Sequence, residues 1–265
     1  MILSGISLRS KLTRIAVVVG LALVLAVGIV KTEADPVSFV RGVPNLLDYL
    51  GGMFPPNWKL IPKLTPFLLE SFWIAVTSIF WSVALSMTLG LLAARNVNRN
   101  RVSRKIFQTL ISMFRSTHPM VYALVFVSAV GLGPFAGVLG LVFHTSGALG
   151  RYFSEAIETV PTDQVEAAQL DGAGRFRIIV SIILPDRFPW LLGYTMYYFE
   201  YCIRQSTMLG LVGAGGIGRP LMTSLRLFKA ADTSAILLTI MVIVISLDTV
   251  VTRLRKKAVG EVRKI

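Results

Sequence analysis

The feature that most narrows what this chain can fold into is a series of apolar stretches, each roughly 20 residues long, spaced along its whole length. Stretches of that length match the thickness of a bilayer's hydrocarbon core when coiled into a helix. They are continuously apolar and do not alternate, which argues against the strands of a closed β-barrel. Composition agrees: 54% of residues are apolar, 15% are charged and the mean hydropathy is +0.69. That balance excludes a disordered chain and argues against a soluble domain. No polar segment is long enough to build a core of its own, and no internal repeat or low-complexity tract is visible. The single cysteine, Cys202, lies inside an apolar run, so no intramolecular disulfide can form.

Six spans are predicted. Ile15 to Val30 is the first, after a short basic start carrying Arg9, Lys11 and Arg14. A cleaved signal peptide is the competing reading. The run is long for that role and no small-x-small cleavage site follows it, so an uncleaved first helix is favoured. Lys31 to Thr65 is polar and proline-rich and reads as an external loop, with an amphipathic helix expected near Val43 to Leu50. Pro66 to Ala94, Ile106 to Val130, Phe135 to Leu149, Phe188 to Leu211 and Ala231 to Val251 are the remaining spans. The domain division expected is therefore 1–65 for the first helix and loop, 66–253 for the main helical core, and 254–265 for a basic tail.

A net charge of +13 would suit nucleic acid in a soluble protein. In a membrane protein its location matters more, because Lys and Arg collect on cytoplasmic loops. Arg95, Arg99, Arg101, Arg104 and Lys105 follow the second span at once, and Arg253, Arg255, Lys256 and Lys257 follow the sixth. With both termini cytoplasmic, about 18 of the 27 Lys and Arg fall inside. Shifting the topology by one helix would put the Arg95–Lys105 cluster outside, against that rule.

Charge within a span is expensive and seldom faces lipid. Arg115, His118 and Tyr122, at i, i+3 and i+7, are expected on one helical face, with Ser116 beside them and Pro119 bending the helix. Glu200 and Arg204 are i, i+4 and can pair within the fifth span; Gln205, Ser206 and Thr207 continue the polar patch. Together they make a net-positive lining suited to a small anion with several oxygens, since arginine meets such a group through two parallel hydrogen bonds. The bland reading stands beside it: the Glu200/Arg204 pair can simply lock helices, Arg115 can snorkel to the interface, and His118 and His144 can be packing histidines. No metal-ligand spacing joins the two histidines. The run Gly213, Gly215, Gly216, Gly218 lacks the strand before it and the Lys-Ser/Thr after it that a nucleotide loop needs. It is expected to break a membrane helix, act as a gate and let backbones approach closely.

One polar segment between spans carries the most specific pattern. In residues 151–187, Gln164 to Leu170 reads as a short helix that Gly172 and Gly174 end. An apolar helical run from Phe176 to Leu184 is expected to stop at Pro185. Glu166, Ala167, Ala168, Gly172, Ile182, Leu184 and Pro185 resemble the cytoplasmic "EAA" loop of permease subunits of ATP-driven (ABC-type) importers. Two further stretches, Phe199 to Gly218 and Gly131 to Leu139 with His144 and Glu155–Glu158, are similar to the phosphonate-type permeases of that superfamily. Met120 stands where many relatives carry an acidic residue.

The resemblance implies an all-α membrane protein with the six-helix, type I (MetI-like) permease fold. It implies a loop in which Glu166, Ala167, Ala168, Asp171, Gly172, Arg175, Ile182, Leu184 and Pro185 couple to an ATPase. The partners implied are a second copy of the chain, two ATPase subunits that hold the ATP and Mg, and an extracytoplasmic substrate-binding protein. No cofactor or metal is expected on this chain, no enzymatic activity and no nucleic acid. The implied site is the bacterial plasma membrane, and the implied cargo is phosphonate, phosphite or phosphate. A methionine-type permease is the nearest alternative. An ion-coupled secondary transporter should instead show repeats and a carboxylate relay, for which only Glu200 is a candidate; a membrane anchor would have no need of intramembrane charge.

Overall fold

The computed structural model describes residues 8–32 and 35–262. Residues 1–7, the part of the external loop at 33–34 and the last three residues of the basic tail lie outside them. The chain divides into two units, Met1–Gly52 and Met53–Ile265. The first holds α1 (Leu8–Lys31), apolar all round as a lipid-embedded helix is, and the amphipathic α2 (Pro36–Gly51). Asp35 starts α2: its carboxylate accepts from the Val37 and Ser38 amides, and the Ser38 hydroxyl donates to it at 2.6 Å. The helix predicted near Val43 to Leu50 therefore begins earlier, because the cap and Pro36 at its first turn set the start.

The second unit contains α3 (Ile61–Ala93), α4 (Arg101–Ser116), α5 (Pro119–Val130), α6 (Pro134–Glu158), α7 (Thr162–Leu170), the single turn α8 (Arg175–Ile178), α9 (Leu184–Leu209), α10 (Gly218–Arg226) and α11 (Ala230–Val262). There is no strand among the described residues. Among the described residues three helical segments are long and apolar enough to cross a membrane, Thr13–Lys31, Trp58–Ala93 and Ala230–Arg255; the bent pair α4 and α5, taken as one span, makes a fourth. The helices α6 and α9, 25 and 26 residues long, have the length to span as well. They are more polar because protein surrounds them: α6 packs against α3, α4, α5 and α9, and such positions need not be as apolar as lipid.

Small residues hold that centre together. Ser71, Ala75, Ser78, Ser82, Ser86 and Gly90 recur every three or four positions on α3, and all are buried. On α6, Ser146 and Ser154 lie against α3, while Gly140, Thr145 and Gly147 admit α5, α9 and α4 in turn, and Gly137 meets Ala214. In lipid there is no hydrophobic force between helices, so close backbone approach and hydrogen bonds replace it. The Ser86 hydroxyl donates to the Ser146 carbonyl at 3.0 Å. Phe153, fully buried, fills the space beside Leu149, Leu191 and Tyr198.

Four expectations need correction. The third span is not one helix: α4 and α5 meet at 89°. Pro119 bars helical geometry at the residue before it, and Thr117 and His118 are extended, with ψ of 134° and 143°. The fourth span does not end at Leu149, so the loop does not begin at Arg151; α6 runs on to Glu158. Pro185 does not stop a helix either. A π-helical stretch, Ile179–Ile183, leads straight into α9, where Pro185 sits in the first turn and needs no donor. The second span starts at Ile61 rather than Pro66, since Pro62 is equally tolerated in a first turn.

Candidate functional site

Two regions of the second unit carry the predicted functional residues. The first is the hairpin of α7 and α8 at one end of the bundle. α7 ends in a Schellman closure: the Ala173 amide bonds the Ala168 carbonyl at 3.0 Å, the Gly172 amide bonds Gln169 at 3.1 Å, and Gly172 has φ +76°. Gly172 thus ends the helix, whereas Gly174 precedes α8 and accepts from the Ile178 amide at 3.1 Å. Successive helical residues turn by about 100°, so the triplet splits: Ala168 packs inward while Glu166 and Ala167 are exposed. Inward-facing Val165, Ala168, Ala173 and Ile182 lie on a small core of Ala94, Ile157, Val160, Ile178 and Ile183. Asp171 and Pro185 are exposed, Leu184 is half-buried against Phe153 and Tyr198, and Arg175 opens α8.

The end of α6, from which the hairpin leaves, is fastened to the turn between α3 and α4. Glu158 accepts from the Arg95 amide at 2.9 Å, and the Asn96 amide donates to the Ile157 carbonyl at 2.7 Å. Arg187 donates to the Thr159 carbonyl at 2.8 Å, closing the base. On the far side, Leu170 and Phe176 are 89% and 80% exposed and flank the Gly172 turn. The hairpin thus rises from an anchored base and ends in an apolar tip.

The second region is polar and lies within the bundle. Arg115, His118 and Tyr122 do not share a helical face, because the elbow separates them: Arg115 and Ser116 end α4, His118 caps α5 and Tyr122 lies on α5. Most of this group satisfies the elbow's freed carbonyls. Tyr122 Oη donates to the Met113 and Phe114 carbonyls, both at 3.2 Å, and Ser116 Oγ donates to Met113 at 2.9 Å. His118 Nδ1 accepts from the Met120 amide at 3.3 Å. His144 on α6 adds a bond to the Thr117 carbonyl at 2.9 Å. A carbonyl only accepts, so Nδ1 carries the proton and Nε2 is left to accept from Tyr201 Oη at 3.3 Å. Arg115 is exposed and no described residue forms an ion pair with it.

On α9, Glu200, Arg204 and Thr207 fall on one face. Arg204 pairs with Glu200, one turn earlier, and lies 3.7 Å from Asp248 on α11. Gln205 points elsewhere and its Oε1 is buried without a partner among the described residues. Thr207 faces Phe72, Ile217 and Leu247. The glycine run forms the turn between α9 and α10. Gly213, Gly215 and Gly216 have φ of 85°, 88° and 74°, and a methyl group at Gly218 would strike the Thr207 carbonyl. The turn is tied to α3 by the Ile217 amide donating to Ser71 Oγ at 2.9 Å, and to the start of α6 by the Gly133 amide donating to the Gly213 carbonyl at 3.1 Å. Glu70, near the start of α3, pairs with Arg219 at 3.0 Å.

Sequence reasoning missed three features. Asp248 went unremarked because it stands alone in an apolar run. Tyr194, Tyr197, Tyr198 and Tyr201 are spaced i, i+3, i+4, i+7 along α9, and Tyr152 stacks on Tyr194 with centroids 4.7 Å apart. That spacing was legible. The Glu158–Arg95 contact joins residues distant in sequence, and nothing local announces it. Among the described residues no cluster of His, Cys, Asp or Glu could hold a metal ion.

A bundle of spanning helices with a fastened knob at one end and a charged patch within defines a membrane transport subunit. Residues 86–263 match the family of binding-protein-dependent transport system inner membrane components, and the chain belongs to it. The phosphite transport system permease protein PtxC of Stutzerimonas stutzeri is 32% identical over 254 residues, 95% of this chain and 91% of that protein. The putative phosphite transport system permease protein HtxC of the same organism is 36% identical over 214 residues, 81% and 76% of the two. Among solved structures, an inward-facing MetNI methionine ABC transporter matches with a TM-score of 0.65 at 20% identity, covering 76% of this chain and 99% of that one. The fold is therefore that of the MetI-like permeases.

Proposed function

We propose that this chain is the membrane-spanning subunit of an ATP-driven importer for phosphite, phosphonate or phosphate-like anions. The observation that carries the reading is the likeness, over most of both chains, to two permeases named for phosphite transport. The methionine-type reading is weaker, since its structural likeness is at 20% identity.

In this reading the α7–α8 hairpin is cytoplasmic, as are both termini, and its exposed tip of Leu170, Gly172 and Phe176 seats in a partner ATPase. Glu166, Ala167, Asp171 and Arg175 frame that contact. The partner binds and hydrolyses the nucleotide with its Mg. Its closure moves the hairpin, and the hairpin carries α9 with it. A second copy of the chain completes the path, and a substrate-binding protein delivers the anion from outside. Arg115 and Arg204 supply guanidinium N–H donors along the path, and Thr207 adds a neutral polar group. The glycine turn Gly213–Gly218 closes the outer end. A ligand can shift such an equilibrium only as far as it binds the two states differently, so the ATPase must grip the hairpin more tightly in one of them.

Uptake by the complete transporter tests the cargo. Phosphite or methylphosphonate should be taken up and should compete with each other, while methionine should not compete. Methionine uptake without phosphite uptake would overturn the reading.

A further inference from the structure

Arg204 has two carboxylates and not one. Glu200 lies one turn away on α9, and Asp248 reaches it from α11 with Oδ1 3.7 Å from Nη1. The two contacts differ in kind. The Glu200 contact is a charge-assisted hydrogen bond. The Asp248 contact is too long for one and is held by charge alone. Exposure differs in the same sense: the Glu200 side chain is 15% exposed, Asp248 46% and Arg204 42%. The trio lies between α9 and α11 and is partly exposed. Asp248 follows Ala230 by 18 helical positions, about 27 Å along α11, and Leu247 beside it packs against Ile203 and Cys202. Charges at that depth avoid lipid, so their exposed edge faces the water-filled path or the second copy.

A guanidinium has five N–H donors in a planar fork. Glu200 bonds Nη1, the same nitrogen that Asp248 approaches, and Nε and Nη2 carry no hydrogen bond among the described residues. An oxyanion arriving at Arg204 finds donors there, and finds a carboxylate already 3.7 Å away. We propose that Asp248 is the release residue of the transport path: a loosely held carboxylate that yields Arg204 to the passing oxyanion and then takes it back. Glu200 stays bonded throughout and fixes the guanidinium plane. The site is thereby a passing point, since an arginine with no competitor would hold a phosphorus oxyanion too long for turnover. This inference rests on the oxyanion reading given above.

The test uses the complete transporter, with ATPase and binding protein, and inorganic phosphate and phosphite as probes. Equilibrium binding to the detergent-purified membrane complex, without binding protein, is measured beside uptake in liposomes. Asp248→Asn is expected to tighten anion binding about tenfold and to slow uptake at saturating binding protein by a similar factor, while Asp248→Glu keeps both near the wild-type values. If Asp248→Asn fails to assemble, Asp248→Ser against Asp248→Glu gives the same comparison. Slower uptake with unchanged or weaker binding would mean that Asp248 only ties α11 to α9, and would overturn the inference while leaving the cargo intact. A wild-type complex that carries neither anion would overturn the oxyanion reading and the release role with it.

Discussion

At Gly172 the backbone takes φ +76° with open space around the absent side chain, so geometry and not crowding selects glycine there. Gly172→Ala should therefore weaken the hairpin by roughly 1 kcal/mol, read as faster amide exchange at Ala173. Gly174→Ala, at a position with no such φ and equally open, should change little. Asp35 offers a pH test. The Ser38 hydroxyl first, then the Val37 amide, hold its carboxyl below the usual 3.8. A carboxyl depressed by folding contributes above its unfolded pKa and loses that contribution as pH falls through the folded value. Amide protection in the first turn of α2 should thus be level from neutral pH down to about 4 and decline below it. Asp35→Ala should show low protection throughout. The glycine and the cap motifs were legible in the sequence because each acts within four or five residues. The role of Ala168 was half legible: the triplet marked the segment, but which alanine turns inward depended on a core supplied by Ala94 and Ile157.

The elbow between α4 and α5 is the element least foreseen. Pro119 announced a bend, but not that it would approach a right angle or that a neighbouring helix would fit against it. Gly147 of α6 lets that happen: a methyl group there would lie 2.6 Å from the Arg115 amide nitrogen and from Phe114 Cβ. Gly147→Val should displace the elbow at a cost of about 1–3 kcal/mol, seen as a lower thermal midpoint of the purified protein. His144→Phe should leave the Thr117 carbonyl buried without its bond, costing about 1–3 kcal/mol by the same measurement. A midpoint unchanged in His144→Phe would show that water replaces the imidazole. The helical face predicted for Arg115, His118 and Tyr122 assumed an unbroken helix. Once α4 and α5 part, the freed Met113 and Phe114 carbonyls claim Tyr122, the Met120 amide claims His118, and of the three only Arg115 is left unpaired among the described residues. Spans α3 and α11 were legible as long apolar runs; the small-residue stripe on α3 was equally present, written as serines at regular intervals.

For the molecule as a whole, the all-helical class and the hairpin between helices could be read from hydropathy and charge, because lipid sorts residues by position along the chain. How the helices surround α6 could not, since that order depends on which small residues meet. Ile183 joins the two levels, being fully buried between hairpin and bundle. Ile183→Ala should loosen the knob by about 2–4 kcal/mol and lower uptake per ATP hydrolysed by the assembled transporter, with insertion unchanged. A normal ratio would mean the hairpin transmits force by another route. Backbone coiling continues without a gap from Arg175 through the π-helical stretch to Leu209. One unbroken helical path therefore joins Phe176 to Arg204, so a shift at one end is passed toward the other. The same path runs in reverse: whatever sits beside Arg204 bears on the position in which the hairpin presents its tip.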